Sequence, residues 1–403
     1  SMSGTLSDGS PVGIFSRTVG TDPGSGNGGN IELHASQSQV SNGAQISAST
    51  LGPGNAGSVI IEGTASPAQS ILIDGTGSGI FTDTQGTGAG GNIFVNANTV
   101  TLQNGGTLSA ATSGTAPSAT GATITVNAEQ VALSNQALIT ADTNGIAPAG
   151  TIDINTGSLA INSGGQVRSS SSAEQSLFKT LTVAPTLTGG TITVQGQGGA
   201  GSQAGSVTID GTGSGIFTQS SGNRPGGDIN VLTNGSVNLT NGTTISASST
   251  GAGNAGNIQI NAGNQFNMTN SSVTTEANQA SGGAIKITTN PNGTVQLTDS
   301  TISASVLDGT GGGGSVNIDP QYVVLQNSQI LANAVFGPGG NINITTNLLL
   351  PDSTSVISAS SQFGQQGTII IQSPISPASG KIVPLGQKPL LPTSLLSQRC
   401  AAF

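Results

Sequence analysis

The segment "GAGGNIFVNANTVTLQNGGTLSAAT", residues 88–112, contains one complete structural unit. A Gly-Gly pair and Asn92 lead into Ile93, after which apolar and polar residues alternate as far as Leu102. "QNGG" interrupts the pattern, and a shorter alternation resumes at "TLSA". A period of two sends Ile, Val and Leu to one side of an extended chain and Ser, Thr, Asn and Gln to the other. Gly and Asn accept the positive φ of a tight corner, so the interruptions read as corners between short strands.

The unit recurs along nearly the whole chain. "GGNIEL" (28–33), "GGDINV" (226–231), "AGNIQI" (255–260) and "GGNINI" (339–344) repeat its start. Ile or Val anchors fall at 31, 59, 93, 124, 152, 192, 229, 258, 285, 316, 342 and 369, with a mean step of about 31 residues. A second apolar stretch ends in "LQN", "LSN" or "LTN" at 102–104, 133–135 and 239–241, and a third reads "ISAS" at 46–49, 245–248, 302–305 and 357–360. One unit cannot bury its own apolar face, whereas stacked units can. The expectation is an all-β right-handed parallel β-helix, a solenoid of about 12 coils of roughly 26–40 residues with three short strands per coil. At about 4.8 Å per coil the rod is on the order of 60 Å long. The unit is too short for a propeller blade of about 40–50 residues.

Composition agrees and narrows the function. Aromatic residues are 2% of the 403 and Trp is absent, so the core must rely on Ile, Val, Leu and Ala. The formal charge is −9 with eight scattered Lys and Arg, which leaves no basic stripe for nucleic acid. Cys400 is the single cysteine and His34 the single histidine, so neither a disulfide framework nor a Cys or His metal site is expected, and no cofactor. No apolar run is long enough for a helical membrane span.

Two features depart from the plain repeat. "IDGTGSGIFT" stands at 73–82 and again, unchanged, at 209–218, with "GIFS" at 13–16. Counting anchors, the two copies are four coils apart, each filling the longer loop before a Gly-Gly pair. Asp74, Phe81, Asp210 and Phe217 are their candidate contact residues, either for a repeated ligand or as parts of a stable Gly-rich turn. A cation site is poorly supported, because each copy supplies one carboxylate where hard cations take several oxygens. The second departure is residues 168–190, which stretch one step between anchors to 40 and bring Arg168, Glu174, Phe178 and Lys179. Insertions in repeat rods map to loops, so this one is a candidate binding loop. The β-helix domain runs over 1–373. The Pro-rich tail at 374–403 is expected to pack on or cap the last coil, whose open edge would otherwise invite pairing.

Catalysis finds no support in the sequence. Glycoside hydrolysis needs two cooperating carboxylates, and neither Asp74 with Asp83 nor Asp210 with Asp228 forms a local pair. Ser and Thr are abundant without a base to activate them. The segment is therefore read as not an enzyme, with a polysaccharide-active β-helix as the alternative.

"GNGGNIELHASQSQVSNGAQISAST", "GAGGNIFVNANTVTLQNGGTLSAAT" and "GAGNAGNIQINA" resemble the repeats of filamentous-haemagglutinin-like exoproteins of the two-partner-secretion type common in cyanobacteria. The ending "LPTSLLSQRCAAF" resembles the segment that follows the repeats in those proteins. The resemblance implies a secreted passenger on the cell surface, exported by an outer-membrane β-barrel transporter through an N-terminal domain not seen in this sequence. Its implied role is an adhesin or structural rod that meets glycans or other cell surfaces. An inert spacer remains the other reading.

Overall fold

The computed structural model describes residues 1–65, 67–115, 119–172 and 189–374. The described chain is a parallel β-helix of about twelve coils. Twelve three-residue strands, one per coil, stack into a parallel sheet from Gly13–Phe15 to Val356–Ser358. The other stretches of every coil form a twenty-strand parallel sheet.

Register confirms the repeat residue by residue. The column Ile31, Val59, Ile93, Ile124, Ile152, Ile192 continues through Ile229, Ile258, Ile285, Val316, Ile342 and Ile369, each paired with the next. These are the twelve anchors. A second inward column runs from Val40 through Ile73 and Leu102 to Leu325, and a third from Ile14 through Ile46 and Ile80 to Ile357. Stacking like on like gives a narrow continuous core of Ile, Val, Leu and Ala. Among the described residues Phe266 is the one aromatic inside it.

Two details differ from three separate strands per coil. In four coils the first and second strands run on as one, at Ile93–Gln103, Thr123–Ser134, Thr151–Asn162 and Asp228–Thr240. Elsewhere they separate, at Pro291 and Pro320 because proline has no N–H to give the ladder, and at Ala35–Ser36 and Thr346–Asn347 without any Gly or Pro. After the third strand, single parallel bridges tie Thr18, Thr50, Thr84, Thr112, Thr143, Ser171, Ser220 and Ser249 into a further ladder.

The corners between second and third strands hold positive φ at Asn42, Asn104, Asn135, Asn241, Asn270 and Asn327, as the turn chemistry requires. Their amides also stack. Asn135 Nδ2 donates to Asn104 Oδ1 at 3.0 Å, and Asn104 Nδ2 donates to Asp74 Oδ1 at 2.8 Å. The anchor glycines have a different reason to be glycine. A Cβ added to Gly57, Gly91, Gly227, Gly256, Gly283, Gly314, Gly340 or Gly367 would lie 1.8–2.2 Å from a carbonyl oxygen of the preceding coil. These positions need close approach of two backbones, not a left-handed φ. Ala122 takes the same column once, and nothing in the structure explains why it is accommodated there.

Arg224 joins coils that are not neighbours. Elsewhere, carbonyls of the segments that close each coil are met by amides one coil on, as when Ile146 N donates to Gly114 O at 2.8 Å. The Gly145 and Ala147 carbonyls instead accept from the guanidinium of Arg224, two coils on, with Nη2 2.9 Å from Gly145 O and Nη1 on Ala147 O. The side chain is 2% exposed, and burial holds its pKa down to about 10. The intervening stretch, including Glu174, Phe178 and Lys179, lies outside the described residues, as does the tail from 375 onward. The last described strand, Thr368–Gln372, is exposed throughout.

Candidate ligand-binding trough

The duplicated decapeptide is explained by packing at almost every position. Each copy finishes a second strand, turns the corner and enters the third strand, so it lies in strands and a corner, not in the longer loop the sequence suggested. Ile73 and Ile80 point inward and are fully buried. Gly75 and Gly77 carry φ of 97° and 80°, closed to most L-residues. Ser78 is buried; its hydroxyl donates to Asp74 O at 2.7 Å and accepts from Gly43 N at 2.8 Å. Gly79 leaves the slot into which the Phe81 ring folds, since a Cβ there would sit 2.6 Å from Phe81 Cζ. Thr82 Oγ1 donates to Gly91 O at 2.7 Å. The second copy repeats this with Ser214, Gly215, Phe217 and Thr218.

Asp74 and Asp210 are the acceptor ends of the corner ladders. Asp210 Oδ1 takes Thr240 Oγ1 at 2.6 Å and Asn241 Nδ2 at 2.7 Å, and these bonds lower its pKa. Asp352 does the same work at the last corner, where the Ser355 hydroxyl first and the Asn327 amide second bring it down to about 2. His34, on the other side of the rod, stands 3.5 Å from Glu62 at the surface.

Phe81, Arg168 and Phe217 share one outward column of the third-strand sheet: Phe15, Ser47, Phe81, Ser109, Thr140, Arg168, Phe217. Two residues further along each coil is a second outward column, Arg17, Ser49, Asp83, Ala111, Asp142, Ser170. Sequence reading weighed Asp83 only beside Asp74 and did not single out Asp142. Asp83 Oδ1 accepts from Ser109 Oγ at 2.6 Å and Ala111 N at 2.8 Å. Asp142 accepts from Ser170 N at 2.7 Å and pairs with Arg168 Nε at 2.6 Å. Two rungs apart, the carboxylate-bearing residues are separated by roughly 10 Å, and Ala111 between them carries nothing beyond Cβ.

This leaves a trough along the rod. One cavity of about 190 Å3 lies among Arg17, Gln45, Leu51, Phe81 and Asp83. A second, of about 320 Å3, continues from Asp83 and Gln85 past Ala111 to Asp142 and Asn144. Arg17 stacks its guanidinium 4.3 Å above the Phe15 ring at one end. Among the described residues no three His, Cys, Asp or Glu gather to hold a metal ion, and no helix is long and apolar enough to cross a membrane.

Burial pushes the Asp83 carboxyl above the ordinary carboxylate value, against the opposing bonds from Ser109 and Ala111. A raised folded pKa means the charged form weakens the fold at neutral pH, and that cost vanishes as pH falls through the folded pKa. Asp83→Asn keeps an acceptor for both donors and removes the charge. It is expected to raise Tm at pH 7, with the gain shrinking to nothing as pH is lowered to about 3; an equal gain at both ends of a pH series of melts would refute this.

No protein-family model, curated protein or solved structure matches the chain.

Proposed function

We propose that this β-helical rod acts outside the cell as a structural and adhesive surface protein of the two-partner-secretion type. The observation that carries the reading is the register shared by some twelve coils, shifted once beside Ala204, which lays polar side chains in columns on the outside. Such columns offer many equal weak contacts, and weak contacts add when several engage together. Export through an outer-membrane transporter, display at the surface and attachment to glycans or cells rest on the resemblance of the repeats to filamentous-haemagglutinin-like exoproteins.

The test is binding of the whole chain to glycan arrays and to whole cells, as monomer and as a tethered multimer. Adhesion predicts retention that grows strongly with multimerisation. A chain that binds no glycan and no cell in either format is a spacer, and the adhesive half of the proposal falls.

A second reading, cleavage of a polysaccharide, is favoured by one observation: Asp83 and Asp142 face one trough two rungs apart, roughly 10 Å, close to the upper end of the about 6.5–9.5 Å between the carboxyl groups of inverting glycosidases. Release of reducing ends from a bound polysaccharide would support it.

A further inference from the structure

We propose that the trough from Arg17 to Asn144 is a binding site for a neutral, linear oligosaccharide lying parallel to the rod axis. The proposal rests on the adhesive reading and names its ligand class and place.

Shape comes first. The two cavities share Asp83 and Gln85, so they form one channel crossing coils one to six, a run of about 24 Å. A linear polymer fits such a channel; a compact small molecule does not fill it. The channel follows the strand-stacking direction, so its walls repeat at each rung, as the units of a linear chain do.

Chemistry narrows the class. The half-buried ring of Phe81 is fixed over Gly79 and gives a flat apolar patch for the C–H face of a sugar. Gln85 and Asn144, both exposed, carry amides that can donate and accept at once, as vicinal hydroxyls require. Asp83 and Asp142 keep acceptor capacity beyond the bonds they already make.

Charge decides against the alternatives. Arg17 and Arg168 at the two ends balance Asp83 and Asp142 between them, so the channel is neutral within a chain of net charge −9. A polyanion would meet two carboxylates and a polycation two guanidinium groups; a neutral glycan meets neither obstacle. The raised pKa of Asp83 agrees, because a carboxyl held at a cost to the fold is common where a ligand uses it.

Ala111 provides the test. It is outward-facing, at the floor between the carboxylates, and its backbone amide bonds are independent of its side chain. Ala111→Trp should fill the channel and leave the ladder intact, which an unchanged Tm and far-UV spectrum would verify. The control is Phe363→Ala, which removes one ring of the exposed Phe336–Phe363 stack, centroids 5.2 Å apart, outside the channel. The probes are soluble neutral β-linked and α-linked oligosaccharides long enough to span the trough, with a sulfated oligosaccharide beside them, measured by calorimetry on the whole chain. The expected result is binding of a neutral probe, weakened at least about tenfold by Ala111→Trp and unchanged by Phe363→Ala. Neutral binding that survives Ala111→Trp overturns the site and leaves adhesion standing. Preference for the sulfated probe, or binding to cells with no neutral probe bound, overturns the ligand class. Absence of binding to any probe or cell defeats the adhesive reading and the site with it. Should Ala111→Trp not fold, Gln85→Ala with Asn144→Ala replaces it, with the same loss expected.

Discussion

Arg224→Met is expected to destabilise the middle of the rod by about 2–5 kcal/mol, among the largest losses any single side chain here can cause. The methionine fills much of the same space but strands the carbonyls of Gly145 and Ala147, which now accept from the guanidinium. A buried carbonyl without a donor costs about 1–3 kcal/mol, and the lost bonds are charge-assisted. In a solenoid coils contact mainly their neighbours, and Arg224 reaches only two coils back, so the loss is local. Hydrogen exchange should show amides of residues 138–147 and 215–221 losing protection, with residues 285–345 unchanged. Arg224→Lys should recover only part, since one ammonium cannot fork to two carbonyls as a guanidinium does. Loss spread evenly along the rod, or no loss, would show that Arg224 is not a clip between coils.

Gly283→Ala should cost on the order of 3 kcal/mol, the upper end of what overpacking usually does. The new methyl would stand 1.8 Å from the carbonyl oxygen of Gly256, and that oxygen belongs to backbone fixed by the coil before it. No rotamer can relieve the overlap; two coils must part. Gly24→Ala is the matched control, because a Cβ there meets nothing within 4 Å. Denaturant unfolding of both variants separates the effects: a fall in midpoint for Gly283→Ala alone is expected, and equal falls would assign the loss to something other than contact between backbones.

Why the fold was legible and the trough was not follows from the same stacking. Anchor glycines and inward Ile or Val answer to constraints that recur in the same form at each coil, such as the close approach of Gly283 to Gly256 and the burial of Ile285, so they mark the coils in the sequence. The faces are set by register, and register depends on coil lengths. Successive inward residues of the third column are 27 residues apart from Ile330 to Ile357 but 49 from Val167 to Ile216. Asp83 and Asp142 therefore share a face although no fixed period links them, and "GIFTD" and "LITAD" are recognisable as equivalents only once Phe81 and Thr140 are known to stack in one column. The span of Arg224 was hidden for the same reason. Asp74 and Asp210 stood out as charged residues in a repeated motif, yet their partners come from the next coil and satisfy them within the fold.

The common register has one more consequence, for how such a molecule can vary. Ile258 and Ile285 occupy the same place on successive rungs, so the stretch from one to the other is a self-contained tile with matching ends. Gaining or losing a tile changes the length of the rod by one increment of about 4.8 Å while every remaining residue keeps its neighbours of the same kind. Reach thus becomes a counted quantity, adjustable by gene duplication without redesigning a core. The two intact copies of a ten-residue sequence four rungs apart are what recent copying of tiles would leave behind.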